Sequence, residues 1–224
     1  MLAQDTQTYL PEIITKIVSN TEYYLVENER TARRFIASLN TSQNIRDLHF
    51  YVLDKRSKPR QLNDIFAKIP DTANIGVISE AGCPGIADPG ALAVSYAHQK
   101  DIEVIALPGP SSIFLALMSS GFSGQQFTFH GYIPLKNPQR SGFLQKISEK
   151  VIKKGETQIF METPYRNDQL FKDLLTGLHP DMQLCIAANL TAPDQFVKTL
   201  SVKQWKKQKL DINKKPAIFL IGAA

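Results

Sequence analysis

The residues best suited to holding a ligand lie in two turn-rich runs in the first half of the chain. Residues 79–90 read Ser-Glu-Ala-Gly-Cys-Pro-Gly-Ile-Ala-Asp-Pro-Gly, and residues 107–112 read Leu-Pro-Gly-Pro-Ser-Ser. Glycine can adopt left-handed conformations and proline fixes φ, so the first run can present backbone N–H and C=O groups to a ligand. Each run follows a short apolar segment and precedes a helix-like stretch. Both are therefore expected at the carboxyl ends of strands, where open α/β sheets bind ligands.

The sequence of the first run excludes two common nucleotide-binding loops. No Lys-Ser or Lys-Thr pair follows the glycines, as a Walker sequence requires, and the G-x-G-x-x-G spacing of dinucleotide-binding loops is absent. A single loop of this composition is equally consistent with a plain structural turn. Two of them on successive predicted strands favour a binding site made of backbone groups.

Composition is typical of a globular chain with a substantial core, because 43% of its 224 residues are hydrophobic. That length fits one large domain or two small ones. No apolar run approaches the roughly 18 residues that span a bilayer, and residues 1–5 lack the basic and apolar parts of a signal peptide. Cys83 and Cys185 lie far apart and predict neither a disulfide framework nor a metal site. We therefore expect a cytoplasmic protein with no membrane partner and no bound metal.

The chain is mildly basic, with a formal net charge of +5. Such an excess permits an acidic partner such as RNA but is shared by many enzymes. The positive charge is concentrated around Trp205, at Lys203, Lys206, Lys207, Lys209, Lys214 and Lys215. Two interpretations stay open: a solvated surface, or a patch that contacts phosphates and uses the indole ring for stacking.

Apolar segments alternate with helical patterns in the first half. The predicted strands are residues 23–27, 49–53, 75–79 and 102–107, and the predicted helices are residues 30–39, 61–68, 91–100 and 112–119. The later strands are continuous enough to be buried on both faces. This alternation predicts a mainly parallel sheet.

The pattern changes after residues 121–124. The second half predicts strands at residues 127–132, 157–161, 183–188 and 217–221, an amphipathic helix over residues 140–153, and a helix that starts at Pro164 and runs towards Leu175. These elements predict a mixed α+β unit. We place the domain boundary so that residues 1–112 form an N-terminal α/β domain and residues 113–224 a C-terminal α+β domain.

Several ordered motifs resemble one known family, the tetrapyrrole-methylase-like S-adenosylmethionine methyltransferases. The closest resemblance is to the branch that methylates a ribose 2′-hydroxyl in small-subunit ribosomal RNA. Residues 79–90 resemble its S-D-A-G-T-P-x-x-S-D-P-G motif, with Glu80 for Asp, Cys83 for Thr and Ala87 for Ser. Its P-L-P-G-P-x-A, S-G-L, F-x-F-x-G-F-x-P and I-F-Y-E-S-x-x-R signatures are similar to residues 106–112, 120–122, 127–134 and 159–166.

The resemblance implies a two-domain tetrapyrrole-methylase-like fold with the cofactor, S-adenosyl-L-methionine, in a cleft between the domains. The implied cofactor contacts in the first domain and at the boundary are Gly82, Cys83, Pro84, Gly85, Ile86, Ser111, Ser112 and Ile113. The second domain would close the site with Met161, Asn189, Leu190, Pro216 and Ala217. The family also implies a homodimer.

Methyl transfer needs little side-chain chemistry, because the sulfonium is already an activated leaving group. An alcohol acceptor must still lose its proton, and a carboxylate can accept it. Glu27 and Glu162 are the candidates for this role, although Glu162 and Arg166 at i and i+4 also suit a simple ion pair. Arg30, Arg140 and Arg166 match basic positions of the branch and are the candidate contacts to RNA phosphates.

Two features depart from the branch. Its opening strand has no counterpart before Tyr9, which suggests a chain that begins at an internal Met or a shortened variant. Where the branch has A-R-E-x-T-K-x-x-E, residues 187–195 read Ala-Ala-Asn-Leu-Thr-Ala-Pro-Asp-Gln, so the charged Arg, Glu and Lys of the branch are absent. The second departure leaves the cofactor expectation intact but bears on the ribosomal substrate.

Three functions therefore stay open. The motif order and the basic C-terminal part favour a methyltransferase that acts on small-subunit ribosomal RNA. The shared fold also permits methylation of a tetrapyrrole or another small metabolite. The lost charges permit a non-catalytic protein that binds S-adenosylmethionine.

Overall fold

The computed structural model describes residues 9–223, which divide after Pro110 into two compact units. We call residues 9–110 the N-terminal unit and residues 111–223 the C-terminal unit. The expectation about a signal peptide falls on residues 1–5, outside the described residues. Among residues 9–223, no helix has the length and apolar character needed to cross a membrane.

The N-terminal unit alternates helices with short parallel strands. Its elements are α1 (Glu12–Val18), β1 (Tyr23–Val26), α2 (Glu29–Ser38), β2 (His49–Val52), α3 (Pro59–Phe66), β3 (Ile75–Ile78) and α4 (Gly90–Gln99), with a 3₁₀ turn at Ile45–Asp47. The three strands form a parallel sheet in the order β2-β1-β3. The mainly parallel sheet expected from the alternating pattern is confirmed, and the three predicted strands and helices before residue 100 lie within two residues of their expected positions.

β1 forms the centre of this unit. Tyr24 and Val26 face one apolar cluster with α1 and α2, whereas Leu25 faces a second cluster with α3 and α4. The sheet therefore has helices on both faces, which is why its central strand is an unbroken apolar run. The helix after β1 starts where Asn28 accepts hydrogen bonds from two backbone N–H groups of its first turn.

The strand expected at residues 102–107 is absent, which corrects that prediction. The segment is mostly apolar, but it joins neither sheet. All of residues 101–109 are exposed, and Ile105 keeps 70% of its accessible surface. An apolar run becomes a strand only where a neighbour can pair with its backbone, and β3 pairs on one side only, with β1.

The C-terminal unit contains a mixed sheet. Its elements are α5 (Ser112–Ser120), β4 (Phe127–Tyr132), α6 (Gln139–Lys154), β5 (Thr157–Met161), α7 (Asn167–Gly177), β6 (Gln183–Ala188), β7 (Phe196–Ser201), α8 (Val202–Trp205) and β8 (Ala217–Gly222), with a 3₁₀ turn at Pro164–Arg166. The five strands are ordered β4-β5-β8-β6-β7. β4 and β5 are parallel, whereas the other pairs are antiparallel. The predicted mixed sheet is confirmed.

Both faces of this sheet are covered. Phe160 and Phe219 stack on one face, with ring centroids 6.1 Å apart, in a cluster with α6, α7 and α8. Ile159 and Leu220 point to the other face and pack against α5. Alternate residues of β5 and β8 thus serve two different clusters.

Trp205 belongs to the first of these clusters. Its ring is 1% exposed, and its indole N–H donates to the carbonyl of Leu184 at 2.8 Å. The interpretation in which this ring stacks on RNA bases is therefore wrong. The ring instead anchors the four-residue helix α8 to β6.

We predict that the amides of residues 103–107 exchange with solvent deuterium at close to their intrinsic rates. Within the described residues, none of these N–H groups has an acceptor, and exchange is slowed by hydrogen bonding and burial. Mass-spectrometric hydrogen exchange is the measurement, with residues 24–26 of β1 as the internal reference. Equal protection of the two segments would show that residues 103–107 are paired in solution.

Candidate functional site

The loop after β3 is built from residues with special backbone conformations. Gly82 and Gly85 have φ values of 79° and 83°, and Ala87 has a φ of 62°. These are left-handed conformations that favour glycine. A Cβ added to Gly82 would meet no atom within 4 Å, so the turn at Gly82 presents its backbone to open space.

Asp88 holds this loop together. One carboxylate oxygen accepts hydrogen bonds from the N–H groups of Gly85 and Gly90, each at 2.7 Å. The approach is so close that a Cβ on Gly90 would lie 2.8 Å from the Gly85 nitrogen and 2.9 Å from the Asp88 oxygen. These contacts fix the backbone at Gly85 and Gly90 relative to Asp88, and glycine is required at position 90.

Glu27 lies at the carboxyl end of β1, next to the start of this loop. Its side chain accepts the N–H of Glu80 at 3.3 Å, and the Glu80 carboxylate accepts the hydroxyl of Thr31 at 2.8 Å. Glu27 and Asp88 both line a cavity of about 10 Å³, which is about the size needed for one water molecule. A carboxylate is thus available at the sheet edge where parallel sheets bind ligands.

The outer side of the same loop forms one wall of a groove. Pro84, Gly85 and Ile86 line it together with residues of α4, and its volume is about 680 Å³. The groove is open to solvent, so it offers a surface instead of an enclosed cavity. The sulfur of Cys83 lies on another side of the loop, 3.9 Å from the carbonyl oxygen of Pro110. Four of the five cofactor candidates in this loop thus line the groove or adjoin Pro110, and Gly82 is exposed at its tip.

Ser111, Ser112 and Ile113 form the start of α5 in the C-terminal unit. The carbonyl of Ser111 accepts the first helical hydrogen bond, from Leu115 at 2.9 Å. Ser112 is buried, and Ile113 packs against the α5 face of the mixed sheet. The side chains of Ser112 and Ile113 are therefore packed within the C-terminal unit.

Four of the five remaining cofactor candidates meet at one edge of the mixed sheet. Met161 ends β5 opposite Ile218, and Ala217 starts β8 opposite Ala188. The N–H of Asn189 donates to the carbonyl of Pro216 at 2.9 Å. The antiparallel pairing thus brings together four candidates that are far apart in sequence: Met161, Asn189, Pro216 and Ala217.

Leu190 has a different position from its predicted neighbours. Its side chain is buried in the cluster against α5, so only its backbone can reach a ligand. Asn189 is half-buried and has a left-handed φ of 48°. Its side chain donates to Asp194 at 2.7 Å, which fixes the turn after β6.

A buried group of charges lies beside this edge. Glu162 is 1% exposed and binds two arginines: one oxygen accepts from Arg166 at 2.7 Å and the other from Arg140 at 3.1 Å. Arg140, 3% exposed, also donates to the carbonyl of Pro134 at 2.7 Å and to Asp173. Every nitrogen of the Arg140 guanidinium is therefore bound inside the protein.

These contacts decide what Glu162 can do. Burial by itself raises the pKa of this carboxyl, but hydrogen bonds from Arg166 and from the Thr163 N–H, together with the charges of both arginines, outweigh burial. The pKa of Glu162 is consequently lower than that of an ordinary glutamate. A buried carboxylate with both oxygens occupied is a poor proton acceptor, so the structure gives Glu162 a positioning role instead of the catalytic one expected.

Arg140 is corrected in the same way. A guanidinium that is almost fully buried and bound on all three nitrogens cannot also bind an RNA phosphate. Its role is to hold Glu162 and Asp173. Arg30 is exposed at the start of α2, and the Arg166 side chain is about half exposed, so both retain access to a substrate.

Of the basic C-terminal residues, only Lys203 lies in a helix. α8 has only four residues, and Lys203 is paired with Asp181 at 2.6 Å. Lys206, Lys207, Lys209 and Lys214 are exposed.

Two residues of these networks were missed from the sequence, Thr31 and Asp173. Each contacts a partner at least 33 residues away, Glu80 and Arg140 respectively. The sequence around Asp173 gives little indication of this contact, because Asp173 looks like any other polar residue of an amphipathic helix.

Comparisons with known proteins agree on one family and one fold. The sequence model of one protein family, the tetrapyrrole (corrin/porphyrin) methylases, matches residues 17–205. The ribosomal RNA small subunit methyltransferase I of Vibrio cholerae is 30% identical over 175 residues, covering 78% of this chain and 58% of the relative. The protein of the same name from Synechocystis sp. is 36% identical over 128 residues, covering 57% and 44%. The chain thus spans about half the length of these two relatives.

Solved structures show the same fold at low identity. The methyltransferase CobJ has a TM-score of 0.64 at 14% identity, with 97% of this chain and 90% of that chain covered. A uroporphyrin-III C-methyltransferase from Thermus thermophilus, complexed with S-adenosylhomocysteine, has a TM-score of 0.56 at 15% identity, with 96% and 91% covered. The two-sheet architecture is therefore that of the tetrapyrrole methylases.

We predict that Asp88→Ala destabilises the N-terminal unit more than Asp88→Asn. The alanine leaves two N–H groups without their acceptor, at a cost of about 1–3 kcal/mol, whereas asparagine keeps an oxygen in place. Urea unfolding measures the difference, and Asp64→Ala on the exposed face of α3 is the control. Equal stability of the alanine variant and the parent would show that these hydrogen bonds do not hold the loop.

We further predict that Glu162 stabilises the protein in a pH-dependent way. Because its pKa is lowered in the folded state, its contribution is complete above the ordinary glutamate pKa of about 4.3 and is lost as the pH falls towards the folded value. The difference in unfolding free energy between the parent and Glu162→Gln should therefore be largest near pH 7 and shrink at acid pH.

Urea unfolding between pH 7 and pH 3 provides the measurement. Glu149→Gln is the matched control, since Glu149 forms an exposed i,i+4 pair with Lys153 and should matter little at any pH. A difference between the parent and Glu162→Gln that stays constant with pH would contradict the assignment.

Proposed function

Because the chain belongs to the tetrapyrrole (corrin/porphyrin) methylase family, we propose that it is an S-adenosylmethionine-dependent methyltransferase that acts on RNA. The proposed acceptor is a ribose 2′-hydroxyl of small-subunit ribosomal RNA. The observation that carries the proposal is the pre-shaped loop of residues 79–90 at the carboxyl edge of the parallel sheet. The names of the curated relatives support the RNA substrate.

The residues of this loop fit a bound cofactor. Gly82 opens into free space, and Pro84, Gly85 and Ile86 line a groove of about 680 Å³. When bound, S-adenosylmethionine supplies an activated methyl group on a sulfonium. The chain's own part is to bind the acceptor in line, hold it and exclude water. Backbone groups fixed by Asp88 suit this role because they need no rearrangement.

We propose further cofactor contacts in the C-terminal unit. Met161, Asn189, Pro216 and Ala217 lie at one sheet edge and offer backbone groups, as does Leu190 through its main chain. The start of α5 is also proposed to contact the cofactor, through Ser111, Ser112 and Ile113.

Glu27 is the proposed acceptor for the hydroxyl proton. One of its oxygens takes the N–H of Glu80, and the side chain lines the small cavity at the sheet edge. A carboxylate at hydrogen-bonding distance from the acceptor, directly or through one water, is sufficient for this step.

Arg30 and Arg166 are the proposed contacts to RNA, and Arg140 supports Arg166 through Glu162. A cytoplasmic location and a homodimer are part of the same proposal.

The experiment that tests the function is methyl transfer from labelled S-adenosylmethionine. Total RNA, small ribosomal subunits and uroporphyrin III are offered in parallel. We expect label in the RNA of the small subunits, at a ribose hydroxyl. Label in uroporphyrin III alone would favour the metabolite methyltransferase, and cofactor binding without any transfer would favour the non-catalytic protein.

We predict that Gly85→Val weakens cofactor binding by more than about tenfold, because a branched side chain at a φ of 83° must distort the loop. Calorimetric titration with S-adenosylmethionine is the measurement. Gly155→Val is the matched control, since Gly155 also has a positive φ, 65°, but ends α6 in the C-terminal unit. Unchanged affinity in Gly85→Val would remove the loop from the cofactor site.

A further inference from the structure

Two tyrosines are exposed at the carboxyl edge of neighbouring parallel strands. Tyr132 ends β4 opposite Met161 of β5 and keeps 47% of its accessible surface. Tyr165 lies in the 3₁₀ turn that follows β5 and keeps 76%. β4 and β5 are neighbours in the sheet, so Tyr132 ends one strand beside the strand whose following turn carries Tyr165. Neither ring is needed to fill the core.

The turn that carries Tyr165 is held from both sides. Its Pro164 fixes the first position, and the N–H of Arg166 donates to the carbonyl of Thr163 at 2.9 Å. The carbonyl of Pro164 accepts the N–H of Lys214 at 3.0 Å. The backbone below the exposed ring is therefore hydrogen-bonded both within the turn and to the segment that carries Lys214.

Positive charge stands next to these rings. Arg166 is held by Glu162 through one nitrogen at 2.7 Å, and its side chain remains 46% exposed. The hydrogen bond to Glu162 raises the pKa of Arg166, and the nearby Tyr132 adds to this. Lys214, joined to the same turn through its backbone, is also exposed. A guanidinium fixed on one side keeps donors for a phosphate on the other.

We propose that Tyr132 and Tyr165 form a stacking surface for unpaired bases of the RNA substrate, with Arg166 and Lys214 on the adjoining phosphates. This inference rests on the proposed function and names the form of RNA that binds. Exposed aromatic rings beside cations are the chemistry that single-stranded RNA requires, because its bases are unstacked and its phosphates follow them at regular spacing. Paired bases are already stacked within the duplex and would not use the rings.

The test compares single strands and duplexes as probes. Fluorescence anisotropy gives the dissociation constants of labelled ten-nucleotide oligoadenylate, oligouridylate and an oligoadenylate–oligouridylate duplex. The parent should prefer oligoadenylate, since purines stack more extensively. Tyr165→Ala should weaken that binding by roughly tenfold and remove the preference, whereas Tyr165→Phe should keep both.

Two controls separate stacking from general damage. Phe114→Ala removes a ring that is 54% exposed on α5 of the same unit and should bind RNA like the parent. Cofactor affinity, measured by calorimetry, should be unchanged in both Tyr165 variants. Loss of cofactor binding in Tyr165→Ala would assign the ring to the cofactor site and overturn the inference.

The remaining outcomes distinguish this inference from the proposed function. Equal affinity of the parent and Tyr165→Ala for oligoadenylate would overturn the stacking surface, even if methyl transfer to RNA is observed. Tyr165-dependent binding of oligoadenylate in a protein that transfers no methyl group would support the surface and contradict the enzyme. Tyr165-dependent binding of uroporphyrin III, with no binding of the oligonucleotides, would overturn both.

Discussion

The buried carboxylate of Glu162 is the contact on which one whole edge of the C-terminal unit depends. It binds Arg140 from α6, Arg166 from the turn after β5, and the N–H of Thr163. Arg140 in turn binds Asp173 on α7. Three elements are therefore fixed relative to one another at the end of β5, and the exposed part of Arg166 is oriented by a group that no solvent reaches.

This network is better explained by the position it gives to Arg166 than by a gain in the free energy of unfolding. Withdrawing charges from water costs several kcal/mol per ion, and well-packed apolar replacements are often as stable or more so. Removing one partner alone is different, because it leaves the others buried and unpaired, at a cost of about 3–5 kcal/mol. The charges therefore fix where Arg166 points, and they do so only while all of them are present.

The sequence predicted the elements whose pattern is local. β5 and β6 are buried on both faces and were predicted with their exact limits. The Glu162–Arg166 pair follows from i,i+4 spacing. The run at residues 102–107 has the same composition as a strand but lacks a neighbour, which no local pattern can reveal. β7 was missed because its half-buried edge position gives only weak alternation. The roles of Glu162 and Arg140 depended on a contact across 22 residues, so only the fold could assign them.

The proposed stacking surface of Tyr132 and Tyr165 depends on the direction of β4. Every other neighbouring pair in the mixed sheet is antiparallel, and an antiparallel β4 would place Tyr132 at the edge opposite to Met161. The long helix α6, Gln139–Lys154, returns the chain so that β4 and β5 run the same way. Both units therefore contain parallel neighbouring strands whose following loops lie at the same edge of the sheet. In the N-terminal unit this edge carries a backbone loop and Glu27, and in the C-terminal unit it carries aromatic rings and a fixed cation.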